Sequence, residues 1–267
     1  MDKKNKGWKN NARTRKGLSN PKGALYIVGI GPGSAEHLTE RARHALAECE
    51  TIVGYTTYIE LILPLVEDKK IFTTPMTKEI ARCKKAIELA SNGERVAIVS
   101  SGDPNIYGMA GLILELSDEN PPYDIEVVPG VPAFVCAGAL LGAPLMHDFA
   151  SISLSDLLTP WGTIEKRLAA AVEGDFVIIL YNPKSRKRIE GIKKAIDIIS
   201  RQRNGQTPVG IVRNAAREDQ SARIIRLSEL KGHLDSIDMS TLVIIGNSTS
   251  FKKGGWFITP RGYNTNL

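Results

Sequence analysis

The sequence is poor in cysteine, lacks long apolar runs and does not begin with a hydrophobic segment. Its three cysteines, Cys49, Cys83 and Cys136, are widely spaced and form no CxxC pair. This argues against a disulfide framework or a zinc site and favours buried thiols. The most apolar stretch, residues 131–146, contains prolines and glycines and falls short of the ~20 residues of a membrane-spanning helix. The basic start is unlike a signal peptide, so we expect a cytoplasmic protein without a bound metal or a membrane partner.

The net charge of +6 is concentrated at the start of the chain. Residues 1–22 contain eight basic residues and one acidic residue, a charge of +7, which leaves −1 for residues 23–267. We expect residues 1–22 to be a disordered, solubilising tail, with nucleic-acid binding as the alternative for such a basic segment. Because the rest of the chain is nearly neutral, no nucleic-acid partner is expected.

Apolar runs and helical patterns alternate along the chain from residue 24 onward. Four predicted strands, separated by helices, cover residues 24–29, 51–55, 95–101 and 123–130. This order predicts a mostly parallel sheet covered by helices. Five further strands are predicted at residues 149–154, 174–181, 207–214, 222–227 and 240–246. The last three are joined by short segments, so part of this second sheet should be antiparallel.

The sequence therefore predicts an α/β protein made of two α/β domains. The N-terminal domain, residues 23–144, should have a mostly parallel sheet, and the C-terminal domain, residues 145–267, a mixed sheet. We expect a ligand cleft between them.

The glycine-rich stretch GIGPGS at residues 29–34 follows the first strand, where a dinucleotide-binding loop would lie. The fingerprint GxGxxG requires a third glycine, which is Ser34 here, and an acidic residue near the end of the second strand. That strand ends TIVGYTTY and contains no acid. The fingerprint is therefore incomplete, and the alternatives to a phosphate site are a simple βα turn or a turn whose backbone approaches a ligand closely.

A second glycine-containing stretch, SSGDPNIYGMAGL, covers residues 100–112. Asp103 before Pro104 is typical of a helix N-cap followed by proline at the first helical position, and predicts a helix to about residue 116. That interpretation does not explain Gly102 at the end of a strand. Open α/β sheets bind ligands beyond the carboxyl ends of their strands, so we expect a ligand against the backbone here.

Six stretches, taken in order, resemble the tetrapyrrole methylase family. They are YIVGIGPGSAEHLT, SSGDPNIYGMA, PGVPAFVCAGALLGAPL, FVIILYNP, GIVRNA and TLVIIGN, and they cover residues 24–250. Two more, HDFASISLSDLLTPW at 147–161 and LYNPKSRKR at 180–188, are similar to the branch that methylates C17 of precorrin-3B or cobalt-factor III in cobalamin synthesis. The resemblance implies two α/β domains, S-adenosylmethionine as methyl donor in the cleft, a tetrapyrrole substrate and a homodimer.

The resemblance also implies which residues contact the methyl donor. They are Ser101, Gly102, Asp103, Ile106, Pro132, Ala133, Tyr181, Ala215 and Gly246. In the family the loop with Gly31, Pro32 and Gly33 borders the tetrapyrrole, so the glycines would not form a phosphate cradle.

The peripheral carboxylates of a tetrapyrrole need hydrogen-bond donors, for which arginine is well suited. The candidates are Ser153, Lys184, Arg186 and Arg213. The alternative is a solvated surface role for Lys184 and Arg186 and the polar face of a strand for Ser153, whereas Arg213 ends an apolar strand. His147 and Asp148 are candidate proton-transfer residues for ring contraction, with a structural role as the alternative. His37 and His44 share one predicted helix but lack further metal ligands.

Two other classes of function remain open from the residues alone. Relatives with this fold methylate ribosomal RNA, for which the basic tail would be suited. A nicotinamide-dependent reductase is disfavoured by the missing fingerprint acid, and a non-catalytic ligand sensor would bind the donor without turnover. The sequence does not distinguish a cobalt-free from a cobalt-containing substrate.

Overall fold

The structure of the protein is a computed structural model, and it describes residues 23–185 and 189–264. The chain divides into two compact units, with the boundary between Val131 and Pro132. The tail expected at residues 1–22 lies outside the described residues and stays a prediction.

Within residues 23–131, the first unit contains a five-stranded sheet and five α-helices. The strands are β1 (Gly23–Gly29), β2 (Thr51–Tyr55), β3 (Lys70–Thr74), β4 (Arg95–Ser100) and β5 (Tyr123–Val128). The helices are α1 (Glu40–Glu48), α2 (Thr56–Glu60), α3 (Leu63–Val66), α4 (Glu79–Ser91) and α5 (Ala110–Leu116). The strand order is β3-β2-β4-β1-β5, and every pairing is parallel.

Helices cover both faces of this parallel sheet. Strand β1 is buried on both sides, with Leu25 in one apolar cluster and Tyr26 in the other. Helix α1 packs in the cluster of Tyr26, and α4 packs in that of Leu25. Burial on both sides explains the nearly continuous apolar strand sequences. The predicted parallel, helix-covered sheet is confirmed, whereas edge strand β3 was not predicted because most of its residues are exposed.

Two predicted helices begin later than the sequence suggests. Helix α5 begins at Ala110 rather than Pro104, because Tyr107 adopts a positive φ of 56° and the Met109 amide donates to Ser100 Oγ. Residues Ala35–His37 form a separate 3-10 turn, and Thr39 caps the following helix α1. His37 and His44 are therefore not on one helix.

The second unit contains a mixed five-stranded sheet and a small three-stranded one. The strands are β6 (Gly142–Ala143), β7 (Phe149–Ser153), β8 (Val177–Tyr181), β9 (Pro208–Arg213), β10 (Ser221–Arg226), β11 (Thr241–Ile245), β12 (Phe251–Lys253) and β13 (Trp256–Ile258). The helices are α6 (Ala133–Leu141), α7 (Trp161–Glu173) and α8 (Glu190–Ser200), with a 3-10 segment at Leu227–Ser236.

The larger sheet has the order β10-β9-β11-β8-β7. Strand β11 is antiparallel to both β8 and β9, and β7 is parallel to β8. Strands β7, β8 and β9 therefore run in one direction, and their carboxyl ends lie at the same edge. The mixed sheet is as predicted, whereas the small sheet β12-β13-β6 was not predicted.

Helix α6 belongs to the second unit, although the sequence analysis places the domain boundary after residue 144. It contacts β9, β10 and β11. A Cβ at Gly210 of β9 would lie 2.2 Å from Leu141 Cδ1, so this glycine makes room for the helix. The apolar, small-residue sequence of α6 does not reveal which sheet it covers. The expected cleft between the domains stays a prediction.

All three cysteines are free and buried, as predicted. Burial raises the pKa of Cys49 to about 12 and that of Cys83 to about 11. Their thiols are therefore neutral at physiological pH and pack as small apolar groups.

Candidate functional site

Three loops meet beyond the carboxyl ends of β4, β1 and β5, which are neighbours in the first sheet. The loops after β1 and β4 are joined by an antiparallel bridge between Gly31 and Gly102. The Gly31 amide donates to Gly102 O at 3.1 Å, and the Gly102 amide donates to Gly31 O at 2.7 Å. Both glycines have a positive φ, of 70° and 67°, which favours glycine at these positions.

The loops approach so closely that side chains are excluded. A Cβ at Gly130, in the loop after β5, would lie 2.1 Å from Gly102 O. A Cβ at Gly29 would lie 2.6 Å from the Gly130 nitrogen. Gly29, Gly102 and Gly130, which we call the glycine contact, therefore place the backbones of the three loops in direct contact.

Asp103 connects the loop after β4 to the loop after β5 through hydrogen bonds. Its carboxylate accepts from the Asn105 amide at 2.8 Å and from the Gly130 amide at 3.1 Å. The predicted N-cap is therefore a loop-to-loop connection instead. Asp103 is the only charged residue in segments 29–34, 100–109 and 128–131.

This arrangement does not form a phosphate cradle. Phosphate loops use free backbone amides and a helix N-terminus to bind the anion. Here the amides of Gly31, Gly102 and Gly130 donate within the protein, and the nearest fixed charge in these segments is the negative Asp103. The hypothesis of a dinucleotide phosphate at residues 29–34 is therefore not supported.

The predicted ligand-binding residues of the first unit lie at this carboxyl edge of the sheet. Ser101, Gly102 and Asp103 directly follow β4, and the Ile106 amide donates to Asp103 O at 3.1 Å. Gly31, Pro32 and Gly33 follow β1, the neighbour of β4. The expected donor-binding and substrate-binding loops of this unit therefore adjoin one another.

A second group of predicted residues gathers at the carboxyl edge of β7, β8 and β9. Ser153 and Tyr181 are paired across β7 and β8, and Ala215 lies just after β9. Ser153 Oγ accepts from Asn182 Nδ2 at 3.0 Å. Asn182 was missed by the sequence analysis, although its place just after a buried strand was a usable signal.

The start of helix α6 lies near the same edge of the second unit. Pro132 is the N-cap residue of α6, and Ala133 is its first residue. The next residue, Phe134, packs its ring edge-on against that of Tyr181, with centroids 6.5 Å apart. Pro132 and Ala133 therefore join the group that contains Tyr181.

Gly246 is not brought into this group. It follows β11, which runs opposite to its neighbours, and its amide donates to Pro208 O at the beginning of β9. Strands of this length separate the two edges by roughly 15–20 Å. A Cβ at Gly246 would lie 2.5 Å from Ser250 Cβ, so the glycine serves the packing of a turn.

His147 and Asp148 also lie at the far edge, because they directly precede β7. Asp148 O accepts from the amide of Val177, the first residue of β8. His147 Nδ1 lies 3.5 Å from Asp148 Oδ2, and the side chains are 50% and 80% exposed. The structure does not bring this pair to Ser153 and Tyr181, so its catalytic role stays a prediction.

Two cationic candidates of the second unit, Arg213 and Lys184, have partners within the protein. Arg213 donates to Asp238 at 2.9 Å and to Asp219 at 3.0 Å, and these bonds raise its pKa. The hydrogen bond from Arg213 lowers the pKa of Asp219. Burial acts to raise the pKa of Asp238, but hydrogen bonds, first that from Arg213, outweigh it and the pKa is lowered. Two carboxylates thus already balance the Arg213 charge.

Lys184 is engaged in a similar way, because its ammonium donates to Leu234 O at 2.6 Å. Arg186 lies outside the described residues and stays a prediction. Two cavities adjoin this edge: one of about 380 Å³ is lined by Lys184, Asp238 and Ser240 among others, and one of about 170 Å³ by Leu154, Asp156 and Asn182 among others.

The described ranges contain neither a cluster of metal ligands nor a membrane-spanning helix. Within residues 23–185 and 189–264, no three His, Cys, Asp or Glu side chains are placed to hold a metal ion. No helix in those same ranges is both long enough and apolar enough to cross a membrane.

Comparison with known proteins identifies similar sequences over nearly the whole chain. Residues 24–231 match the family model described as Tetrapyrrole (Corrin/Porphyrin) Methylases. A protein of Salmonella typhimurium named probable cobalt-factor III C(17)-methyltransferase is 48% identical over 90% of this chain and 99% of its own length. A precorrin-3B C(17)-methyltransferase of Sinorhizobium sp is 37% identical over 84% of this chain and 89% of its own. The chain spans 53% and 45% of two further, longer relatives.

The fold is similar to that of a solved methyltransferase. The crystal structure of the methyltransferase CobJ superimposes with a TM-score of 0.84 at 34% sequence identity. The match covers 89% of this chain and 100% of that one.

Proposed function

The chain belongs to the tetrapyrrole (corrin/porphyrin) methylase family, and from this premise we propose that it is an S-adenosylmethionine-dependent C17-methyltransferase of cobalamin biosynthesis. The observation that carries the proposal is the 48% identity to a probable cobalt-factor III C(17)-methyltransferase across 99% of that relative. The match covers 90% of this chain and therefore extends into both units.

The substrate we propose is the cobalt-containing tetrapyrrole. Identity is 48% to the relative named for cobalt-factor III and 37% to the one named for precorrin-3B. The cobalt ion is part of this substrate and needs no ligand set in the protein.

The loops of the first unit suit a methyl donor that carries a positive sulfonium and no phosphate. Asp103 supplies the only charge in the three loops, and it is negative. Ser101, Gly102 and Ile106 offer mainly backbone and apolar surface. We propose that these residues hold the donor together with Pro132, Ala133, Tyr181 and Ala215, and that Gly246 is not among them.

The bound donor supplies a methyl group on sulfur, which leaves behind a neutral thioether. Because that leaving group needs no proton, the protein's task is to orient the reactants and exclude water, which can contribute ~7–11 kcal/mol to lowering the barrier. The fixed loops around the glycine contact provide such orientation without a catalytic triad. For the proton transfer of ring contraction, His147 and Asp148 stay the predicted residues.

Binding of S-adenosylhomocysteine to the full chain tests the donor assignment. We expect micromolar affinity in a calorimetric titration and no binding of NADPH in a parallel titration. Binding of NADPH without binding of the thioether would contradict the proposal and restore the reductase hypothesis.

Turnover tests the substrate assignment. The protein is incubated with cobalt-factor III, or with metal-free precorrin-3B, and with donor labelled with ¹³C in its methyl group. We expect NMR of the product to show the label at C17, and faster turnover of the cobalt-containing substrate. Donor binding without any turnover would favour the ligand-sensor hypothesis.

We also propose a homodimer, on the family resemblance, and the absence of a nucleic-acid partner, because residues 23–267 carry a net charge of only −1. Light scattering of the purified full chain measures its molar mass and therefore the oligomeric state. Titration with ribosomal RNA at several salt concentrations measures the second, since RNA binding through residues 1–22 would weaken steeply with salt.

A further inference from the structure

Arg82 is a buried arginine in helix α4, only 4% exposed. Its Nε donates to Thr74 Oγ1 at 2.9 Å, and its Nη2 donates to Pro75 O at 3.2 Å. The remaining nitrogen, Nη1, has the thioether of Met109 at 3.9 Å. The guanidinium also lies 5.9 Å from the centre of the Tyr55 ring.

None of these partners carries a negative charge. Within the part of the chain that the structure describes, no carboxylate forms an ion pair with Arg82. Buried charges in proteins are normally paired, because an isolated ion loses its hydration without compensation. A thioether is only a weak acceptor, so Nη1 is the least satisfied part of this group.

The partners show where the guanidinium lies in the fold. Tyr55 ends β2 and Thr74 ends β3, while Met109 closes the loop that follows β4. Strands β3, β2 and β4 are neighbours and parallel, so Arg82 is at the same carboxyl edge as Gly102 and Asp103. The buried cation is thus on the side of the sheet where ligands bind in open α/β folds.

We propose that Arg82 binds a carboxylate of a ligand held at this edge, with the carboxylate taking the place of the Met109 thioether. The Met109 side chain is flexible and can rotate aside at little cost. Nη1 and Nη2 would then present two donors to two carboxylate oxygens, the arrangement for which arginine is best suited. This assignment rests on the proposed function.

The carboxylate has two possible sources, the acetate and propionate groups of the tetrapyrrole or the methionyl part of the donor. The variants Arg82→Gln and Arg82→Lys separate them from each other and from a purely structural role. Lys84→Gln is the matched control, because Lys84 is an exposed cation on the same helix.

Three quantities are measured for each variant: the KM for the tetrapyrrole, the Kd for S-adenosylhomocysteine and the Kd for methylthioadenosine, which lacks the carboxylate. A tetrapyrrole carboxylate predicts that Arg82→Gln raises the KM ~10- to 100-fold, the loss of a charge-assisted hydrogen bond, and leaves both Kd values within twofold. A donor carboxylate predicts the same increase in the Kd for S-adenosylhomocysteine and no change for methylthioadenosine. Arg82→Lys should restore part of either loss, and Lys84→Gln should change nothing.

Arg82→Gln with all three constants within twofold of wild type overturns the proposal. An equal increase in the Kd for S-adenosylhomocysteine and the Kd for methylthioadenosine also overturns the proposal, because that pattern indicates a distorted site. If Arg82→Gln does not fold, the same criteria apply to Arg82→Lys, which keeps the charge but not the two-pronged geometry. Wild-type protein that neither binds S-adenosylhomocysteine nor methylates a tetrapyrrole refutes the proposed function and, with it, this assignment.

Discussion

Replacing Gly130 by alanine tests the glycine contact directly. The new Cβ would lie 2.1 Å from Gly102 O, whereas ordinary contacts are 3.4–4 Å, so backbone must move by about 1.3 Å. Overpacking costs about 1–3 kcal/mol, and this contact belongs at the upper end because the Cβ meets rigid backbone at 2.1 Å. Because Gly130 does not have a positive φ, alanine also stabilises the folded state by about 0.4–1 kcal/mol, since it lowers the conformational entropy of the unfolded chain. We expect a net loss of about 2 kcal/mol.

Thermal unfolding and ligand titration measure the two consequences of Gly130→Ala. A loss of about 2 kcal/mol lowers the Tm by about 4–8 °C in a chain of this size. A loop displaced by about 1 Å should also weaken the binding of S-adenosylhomocysteine by up to about 100-fold, which is the effect that a comparable misplacement has on catalysis.

The matched control is Gly111→Ala in helix α5. A Cβ at Gly111 has nothing within 4 Å, and alanine is the better helix former by about 1 kcal/mol. The control should therefore be as stable as wild type or more stable, with the same affinity. If Gly130→Ala unfolds within 1 °C of wild type and binds S-adenosylhomocysteine within twofold, the glycine contact does not fix the loops.

Three further predictions concern single groups. Asp103→Asn should lower the free energy of unfolding in urea by about 1–3 kcal/mol, since one of the two amides that Asp103 binds would face an NH₂ group. The exposed control Asp124→Asn should not change it, and equal urea midpoints for the two variants would contradict the loop-to-loop role of Asp103. Arg213→Gln should lower stability at pH 7, and the difference should shrink as the pH falls below the usual carboxyl pKa of 3.8, because the lowered pKa values of Asp219 and Asp238 contribute only while those groups are ionised. A difference in urea titrations that is as large at pH 3 as at pH 7 would refute this. Cys49 and Cys83, with pKa values raised to about 12 and 11, should resist a thiol-reactive dye at pH 8 in native protein and react in urea; rapid labelling of native protein would show that the thiols are accessible.

The buried strands were predictable because burial on both sides leaves a continuous apolar run. This holds for β1, β4 and the central strands of the second sheet. Edge strand β3 and the short strands β12 and β13 were missed. Most residues of β3 and all of β12 are exposed, and β13 has only three residues. The start of α5 was missed for another reason: the hydrogen bond from Met109 to Ser100 Oγ is a tertiary contact that local sequence does not encode.

The candidate site was predictable where residues directly follow parallel strands. Ser101 and Gly102 after β4 and Tyr181 at the end of β8 are of this kind. Gly246 was assigned to the donor site from the family resemblance, and its place at the opposite edge was not predictable, because an apolar run does not give the direction of its strand. His147 was a separate candidate, for ring contraction. Arg82 was missed because one arginine in an amphipathic helix looks like any surface cation until its burial is known.

The glycine contact has a consequence for chimaeras made between relatives. The loops at residues 29–34, 100–109 and 128–131 match one another through backbone shape, so they are best inherited together from one parent. A crossover between residues 34 and 100 would pair loops of different ancestry at their tightest point. A crossover after Val131 leaves all three with one parent, and we expect libraries recombined there to yield more folded proteins.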